Sequence, residues 1–229
     1  MNTAERIKKI SECVRINSYL EIGVEKGITF NSLDFKYKTG VDPNFLFDFE
    51  SFQNEFTQLH QITSNEFFSF ANPKEKYDLI FLDGLHTYDQ TLRDLNNALR
   101  FSHDSTIIIV DDVYPSDIFS SLRRNAQEER LAYDVNATSQ AWHGDVFKTM
   151  FIVHDYYQNL SYKTIDFGYG NPQSLIIQQQ RRNFKPHFNR IEDIERLNYF
   201  DFKEKIDLLN ACSEGEALEF VISFLKKND

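Results

Sequence analysis

Cysteine is nearly absent from this 229-residue chain: there are two, Cys13 and Cys212, far apart and without metal-ligand spacing. No disulfide framework can be built from them. Proline (5) and glycine (8) are also scarce, which excludes collagen-like and linker-rich chains. Positive charge is short. Twenty-five Lys and Arg face 35 Asp and Glu, for a formal net charge of -10. Such a surface is a poor general partner for nucleic acid or anionic lipid, so neither is expected to bind. Long apolar runs are missing as well; Thr106–Val110 is among the longest and is far too short to span a bilayer. Residues 1–20 form a charged amphipathic stretch rather than a signal peptide, so a cytoplasmic location is expected.

What is present is globular. Hydrophobic residues are 41% and charged residues 26%, ordinary usage for a packed domain. The length suits one large domain or two small ones. An aromatic content of 15% leaves room for a homo-oligomer interface.

Strand and helix signals alternate. Asn2 with Glu5 forms a capping box ahead of a helix to Val14, with Ile7 and Ile10 on one face. Ser18–Ile22 reads as a strand running into Gly23, and a helical turn follows from Ile28. Tyr37–Val41 reads as a second strand ending at Asp42-Pro43. Phe49–Leu59 reads as helical, His60–Thr63 as a weak third strand, and Asn65–Phe70 as a short helix. Tyr77–Leu82 is a fourth strand ending at Asp83-Gly84. Thr87 and Gln90 suggest a second capping box, before a helix carrying Tyr88, Leu92, Leu95 and Leu99 on one face. The β-branched run Thr106–Val110 fits a strand buried on both faces and ends at Asp111-Asp112. Asp145–Tyr157 reads as a helix. Leu160–Phe167 and Ser174–Gln179 read as strands joined through a Gly168–Pro172 turn. The acidic tail has apolar positions at Leu218, Val221, Phe224 and Leu225. The pattern predicts a doubly wound, mostly parallel seven-stranded α/β sheet with an antiparallel terminal hairpin. Residues 1–180 are expected to form the functional domain, and 181–229 a helical extension packed on it.

In such a sheet ligands bind at the carboxyl ends of the strands. Gly23, Asp42, Asp83 and Asp111 all sit there. Tyr19-Leu-Glu-Ile-Gly-Val-Glu-Lys-Gly27 places Glu21 two residues before Gly23, with Gly27 opening the next helix. Glu25 occupies the place of the middle glycine of a dinucleotide fingerprint. A side chain there crowds a pyrophosphate, which argues against NAD or FAD. Asp42 is positioned to accept ribose hydroxyls, and Ser64, in the stretch after strand three, to border a base.

Glu21-Ile-Gly23-Val-Glu-Lys-Gly27 followed by Asp42 resembles the cofactor site of class I S-adenosylmethionine-dependent methyltransferases. Within that class, Phe81-Leu-Asp83-Gly-Leu-His86-Thr-Tyr88, Arg93-Asp94-Leu95 and Asp111-Asp112 resemble the metal-dependent macrocin and mycinamicin sugar O-methyltransferases. Trp142-His-Gly-Asp145-Val-Phe-Lys148 is similar to a further signature of related bacterial enzymes. The resemblance implies S-adenosyl-L-methionine as cofactor, held by Glu21, Gly23, Gly27, Asp42, Ser64 and Asp83. It implies Mg²⁺ on Asp83, Asp111 and Asp112, with His86 as the base. The implied acceptor is a hydroxyl of a sugar or glycosylated small molecule.

The chemistry is consistent with this. A sugar hydroxyl is a poor nucleophile at neutral pH, and both a cation and a base help it. Carboxylates at adjacent strand ends form a hard oxygen site. The helix terminus and the cation are expected to keep His86 neutral, with a pKa no higher than about 6.5. Pro115–Trp142 is the candidate substrate cover. A nucleotide-dependent oxidoreductase and a non-catalytic cofactor-binding module are the alternatives.

Overall fold

The computed structural model describes residues 1–123, 141–166, 168 and 171–228. Helix α1 (Thr3–Cys13) leads into strand β1 (Ser18–Ile22), helix α2 (Ile28–Ser32) and strand β2 (Tyr37–Val41). Strand β3 (Thr57–His60), helix α3 (Ser64–Phe70), strand β4 (Tyr77–Leu82), helix α4 (Tyr88–Arg100) and strand β5 (Ser102–Val110) follow. Helix α5 (Phe147–Tyr156) precedes strands β6 (Ser161–Ile165) and β7 (Ser174–Ile177). Helices α6 (Ile191–Glu195) and α7 (Tyr199–Glu204), the short strand β8 (Ala211–Cys212) and helix α8 (Glu214–Asn228) complete the described fold.

The sheet order is β3-β2-β1-β4-β5-β7-β6-β8. Strands β1 to β5 run parallel, and β7 is antiparallel to both β5 and β6. This is the Rossmann-like methyltransferase fold, with eight strands rather than the expected seven. The extra strand is the two-residue β8, which pairs with β6 through Thr164↔Ala211 and Ile165↔Cys212. Two residues are too few to leave a periodic signal in the sequence.

Strand alternation builds the two core layers. Ile108 and Val110 face the layer of α3, α4, α5 and α7, where Leu95, Phe101, Phe147, Phe151 and Phe202 are buried. Ile107 and Ile109 face the layer of α1 and α8, with Ile7, Ile10 and Val221. Each such side chain contributes about 1.5–3 kcal/mol by leaving water. Continuous apolar strands are thus filled on both faces, as a parallel sheet requires.

Several local expectations need correction. The third strand is Thr57–His60, not His60–Thr63, and only Phe49–Phe52 of the expected helix is helical, as a 3₁₀ turn. Asn54 ends that turn by accepting hydrogen bonds from the backbone of Phe56 (2.8 Å) and Thr57 (3.0 Å). The helix-like spacing of Phe45, Phe49 and Phe52 reflects a loop cluster of rings with Phe47. Thr63 instead caps α3 in a reciprocal box with Glu66.

The Thr87–Gln90 box is also absent. Gln90 turns to Ser64, Asn65 and Asp94, and the Tyr88 N–H is taken by Asp145 Oδ1 at 3.0 Å. A residue from a remote segment therefore caps α4. Arg181 donates to the carbonyls of Val153, His154 and Tyr157 at the end of α5. That is cation capping of a helix C-terminus. Residues 124–140 of the expected cover, and Phe167, Tyr169 and Gly170 around the expected turn, lie outside the described residues.

Candidate active site

The carboxyl ends of β1, β2, β4 and β5 open onto one cavity of about 980 Å³. Glu21, Gly23, Asp42, Ser64, Asp83, His86, Asp111 and Asp112 all line it. Gly27 does not. It starts α2 in the left-handed region (φ 70°), and a Cβ there would lie 2.9 Å from the Phe47 ring. Its need is conformational and steric. Gly23 (φ 89°) is tighter still, since a Cβ would fall 1.8 Å from the Asp83 carbonyl oxygen. Only glycine lets the ends of β1 and β4 come together here.

One half of the cavity is held by backbone. Glu25 sits at φ 44°, and its N–H donates 2.8 Å to Asp42 Oδ2. The N–H of Asn44 donates 2.7 Å to Asp42 Oδ1. Each Asp42 oxygen keeps a lone pair for a ligand hydroxyl. Glu21 is almost fully buried and accepts from the Tyr19 hydroxyl at 2.6 Å. Burial pushes its carboxyl up to about 8, against the opposing Tyr19 hydrogen bond and the Lys38 charge.

The other half is held by side chains. Ligand atoms of Asp83, His86 and Asp112 all lie within 4.8 Å of one another. His86 Nδ1 is 2.5 Å from the Trp142 carbonyl, so Nδ1 carries a hydrogen. Nε2 of the same ring lies 3.0 Å from Asp112 Oδ2 and 3.9 Å from Asp83 Oδ1. The Trp142 ring also packs against the imidazole, tilted by 35° with centroids 4.8 Å apart. Burial alone would lower the His86 pKa, but the hydrogen bond and charge of Asp112, with the Trp142 carbonyl, raise it. Without a cation, the adjacent Asp112 carboxylate outweighs burial. Asp83 is raised well above the carboxylate range by enclosure and by the charges of Asp111 and Asp112. Burial and Asp112 push Asp111 up to about 7. Asp112 itself sits in the left-handed region, at φ 60°.

Two carboxylates and an imidazole suit a divalent cation in kind and spacing. Asp111, expected with them, is outside this group. Its carboxylate accepts from Asn171 Nδ2 on both oxygens (3.1 Å each), from Gln173 Nε2 (2.9 Å) and from the N–H of Asp112 (2.9 Å). Sequence reasoning missed Asn171, Gln173 and the fully buried Arg6. Asn171 lay in the quoted turn, but nothing local marked Arg6, more than 160 residues away, as a partner.

Residues 20–113 match a family model described as a methyltransferase domain. That stretch runs from β1 to just beyond the end of β5 on the Rossmann-like methyltransferase fold. Among solved structures, it is similar to the O-methyltransferase TomG from Streptomyces achromogenes, involved in tomaymycin synthesis and solved with SAM. That match has 11% identity, covers 77% of this chain and 79% of the other, and has TM-score 0.52. Cofactor-bound Rv0187 from MTB matches at 11% identity over 79% and 82% of the chains, with TM-score 0.53. The plantazolicin methyltransferase BpumL, solved with a triazolic desmethylPZN analog and SAH, matches at 15% identity over 78% and 84%, with TM-score 0.50. At these identities the likeness is one of fold. No curated protein matches the chain by sequence.

Proposed function

We propose that the protein transfers a methyl group from S-adenosyl-L-methionine to a hydroxyl of a small molecule, with a divalent cation, Mg²⁺, beside the acceptor. The observation that carries this reading is the meeting of Asp42, Gly23 and the Asp83–His86–Asp112 group in one cavity. The cofactor, when bound, supplies an electrophilic methyl group on a sulfonium. Asp42 takes the ribose hydroxyls on its open lone pairs. Gly23 lets the ligand approach the backbone, Glu21 places a carboxyl at the floor, and Ser64 stands at the base-binding edge. The cation, when bound, acidifies the acceptor hydroxyl.

Asp83 and Asp112 hold that cation. His86 takes the hydroxyl proton on Nε2, because Nδ1–H is committed to the Trp142 carbonyl. The Asp83-Gly-Leu-His86 motif, with its likeness to the macrocin group, favours a sugar or glycoside as acceptor. Residues 1–180 supply nearly all of this cavity, with 181–229 as an extension that braces the sheet.

Calorimetry of the unliganded protein tests the reading. S-adenosylhomocysteine should bind at one site and NADH should not. Binding of NADH alone would overturn it in favour of a nucleotide-dependent oxidoreductase.

A further inference from the structure

Arg6 is fully buried, and the chemistry proposed above gives it no task. Its guanidinium pairs with Glu214 at 2.8 Å, donates to the Asn171 carbonyl at 3.0 Å, and donates from Nη1 to Gln173 Oε1. That last bond fixes the orientation of the Gln173 amide. With Oε1 committed to Arg6, Nε2 must face the other way. It donates to Thr3 Oγ1 (2.8 Å) and to Asp111 Oδ2 (2.9 Å).

Three donors then hold the Asp111 carboxylate. Oδ1 receives Asp112 N–H, Oδ2 receives Gln173 Nε2, and Asn171 Nδ2 is shared between the two oxygens. Neither oxygen is without a donor, so both are already engaged where a cation would need them free. What the carboxylate does hold is the N–H of Asp112, a non-glycine residue at φ 60°. Such a conformation costs about 1–3 kcal/mol and persists only where its surroundings enforce it. The same turn aims the Asp112 carboxylate at His86 Nε2, 3.0 Å away.

We infer that Glu214, Arg6, Gln173 and Asn171 form a buried clasp that orients Asp111, and that Asp111 positions Asp112 for the cation without ligating it. Asp111 and Gln173 are positioning residues. The inference rests on the reading of Asp83 and Asp112 as cation ligands. It links the first helix and the C-terminal helix to the reaction centre.

The test is a double-mutant cycle read by Mn²⁺ titration of the unliganded protein, followed by electron paramagnetic resonance. Asp111→Asn turns an amide against the Gln173 amide, donor to donor. Gln173→Glu turns a carboxylate against a carboxylate. Each single variant should weaken Mn²⁺ binding about tenfold or more. Together they restore the bond with its polarity reversed. The new amide at position 111 donates to the new carboxylate at 173, which still accepts from Arg6, and its oxygen still receives Asp112 N–H. The double variant should therefore recover most of the wild-type affinity. S-adenosylhomocysteine affinity, measured in parallel, should stay near wild type across the cycle, while melting temperature should fall in each single variant and recover in the double.

If Asp111 is a ligand, its lost charge cannot be rescued: Asp111→Asn and the double variant will both match Asp112→Asn, and the inference falls. Rescue of melting temperature without rescue of Mn²⁺ affinity would also overturn it, leaving a purely structural network. A wild-type protein that binds S-adenosylhomocysteine but no Mn²⁺ would instead remove the cation from the proposed function. Asp112 would then be checked crystallographically: a φ that stays left-handed in both single variants would end the positioning claim as well.

Discussion

The two halves of the cavity are built by opposite means. At the ends of β1 and β2, backbone does the work: Gly23 brings two strands together, and the N–H groups of Glu25 and Asn44 fix Asp42. All of these residues lie within one short stretch of chain. At the ends of β4 and β5, side chains from remote segments do the work. Trp142 sets His86, and Asn171, Gln173 and Arg6 set Asp111. The first half recognises a ligand by shape and a few hydrogen bonds. The second concentrates carboxylates where burial first, and their mutual repulsion second, raise their pKa values. Damage to the first half should therefore appear in binding, and damage to the second in chemistry.

The largest effect is expected in the second half. His86→Gln keeps a polar side chain but cannot take the proton, so kcat should fall by about 10²–10⁴. S-adenosylhomocysteine affinity, measured by calorimetry, should hardly move. Loss of Mn²⁺ binding in this variant would instead make His86 the third ligand of its group. Near wild-type kcat, where chemistry limits the rate, would remove it from the reaction.

The converse holds for Asp42→Ala. It should weaken S-adenosylhomocysteine by about 1.5–3 kcal/mol through the lost charge-assisted hydrogen bonds, while Mn²⁺ affinity stays unchanged. A change in both would mean that the halves are one coupled site.

Glu21 sharpens the contrast through pH. Its carboxyl is raised by burial to about 8, above its ordinary value near 4.5. The folded state therefore binds a proton that the unfolded state releases. The stability this contributes is complete below the unfolded value and is lost as pH rises through about 8. Glu21→Gln should flatten the fall in melting temperature of the unliganded protein between these limits. Parallel profiles for variant and wild type would show that Glu21 is ionised throughout.

The smallest effect lies outside both halves. Arg181→Ala removes the cap on α5 and should cost about 1 kcal/mol in urea unfolding, with kcat unchanged. A change in kcat would tie that helix end to the cavity.

The same contrast explains what was legible in the sequence. Strands β4 and β5 were readable because double-sided burial demands apolar runs, which Asp83 and Asp111 interrupt, and β1 and β2 were readable as short segments closed by Gly23 and by Asp42-Pro43. The first half of the site follows almost entirely from that local pattern. The second half follows only in part: Asp83, His86 and Asp112 were visible as a motif, but Asp111 has the same residue type and a different environment. Its partners, Arg6 and Gln173, are set by tertiary packing, which leaves no local spacing to read. Asp145 and Gln90 show the same limit, since a remote side chain replaced the capping box that the local sequence suggested. β8 was missed because two residues carry no periodicity.

The central claim is that one cavity binds a nucleoside-bearing cofactor at Asp42 and a divalent cation at Asp83 and Asp112. Anomalous diffraction from crystals grown with S-adenosylhomocysteine and Mn²⁺ tests it directly. The account predicts one strong anomalous peak within bonding distance of the Asp83 and Asp112 carboxylates and beyond that distance from Asp111, with the ribose on Asp42. A peak bonded to Asp111, or a ribose away from Asp42 in a cavity without any peak, would contradict it.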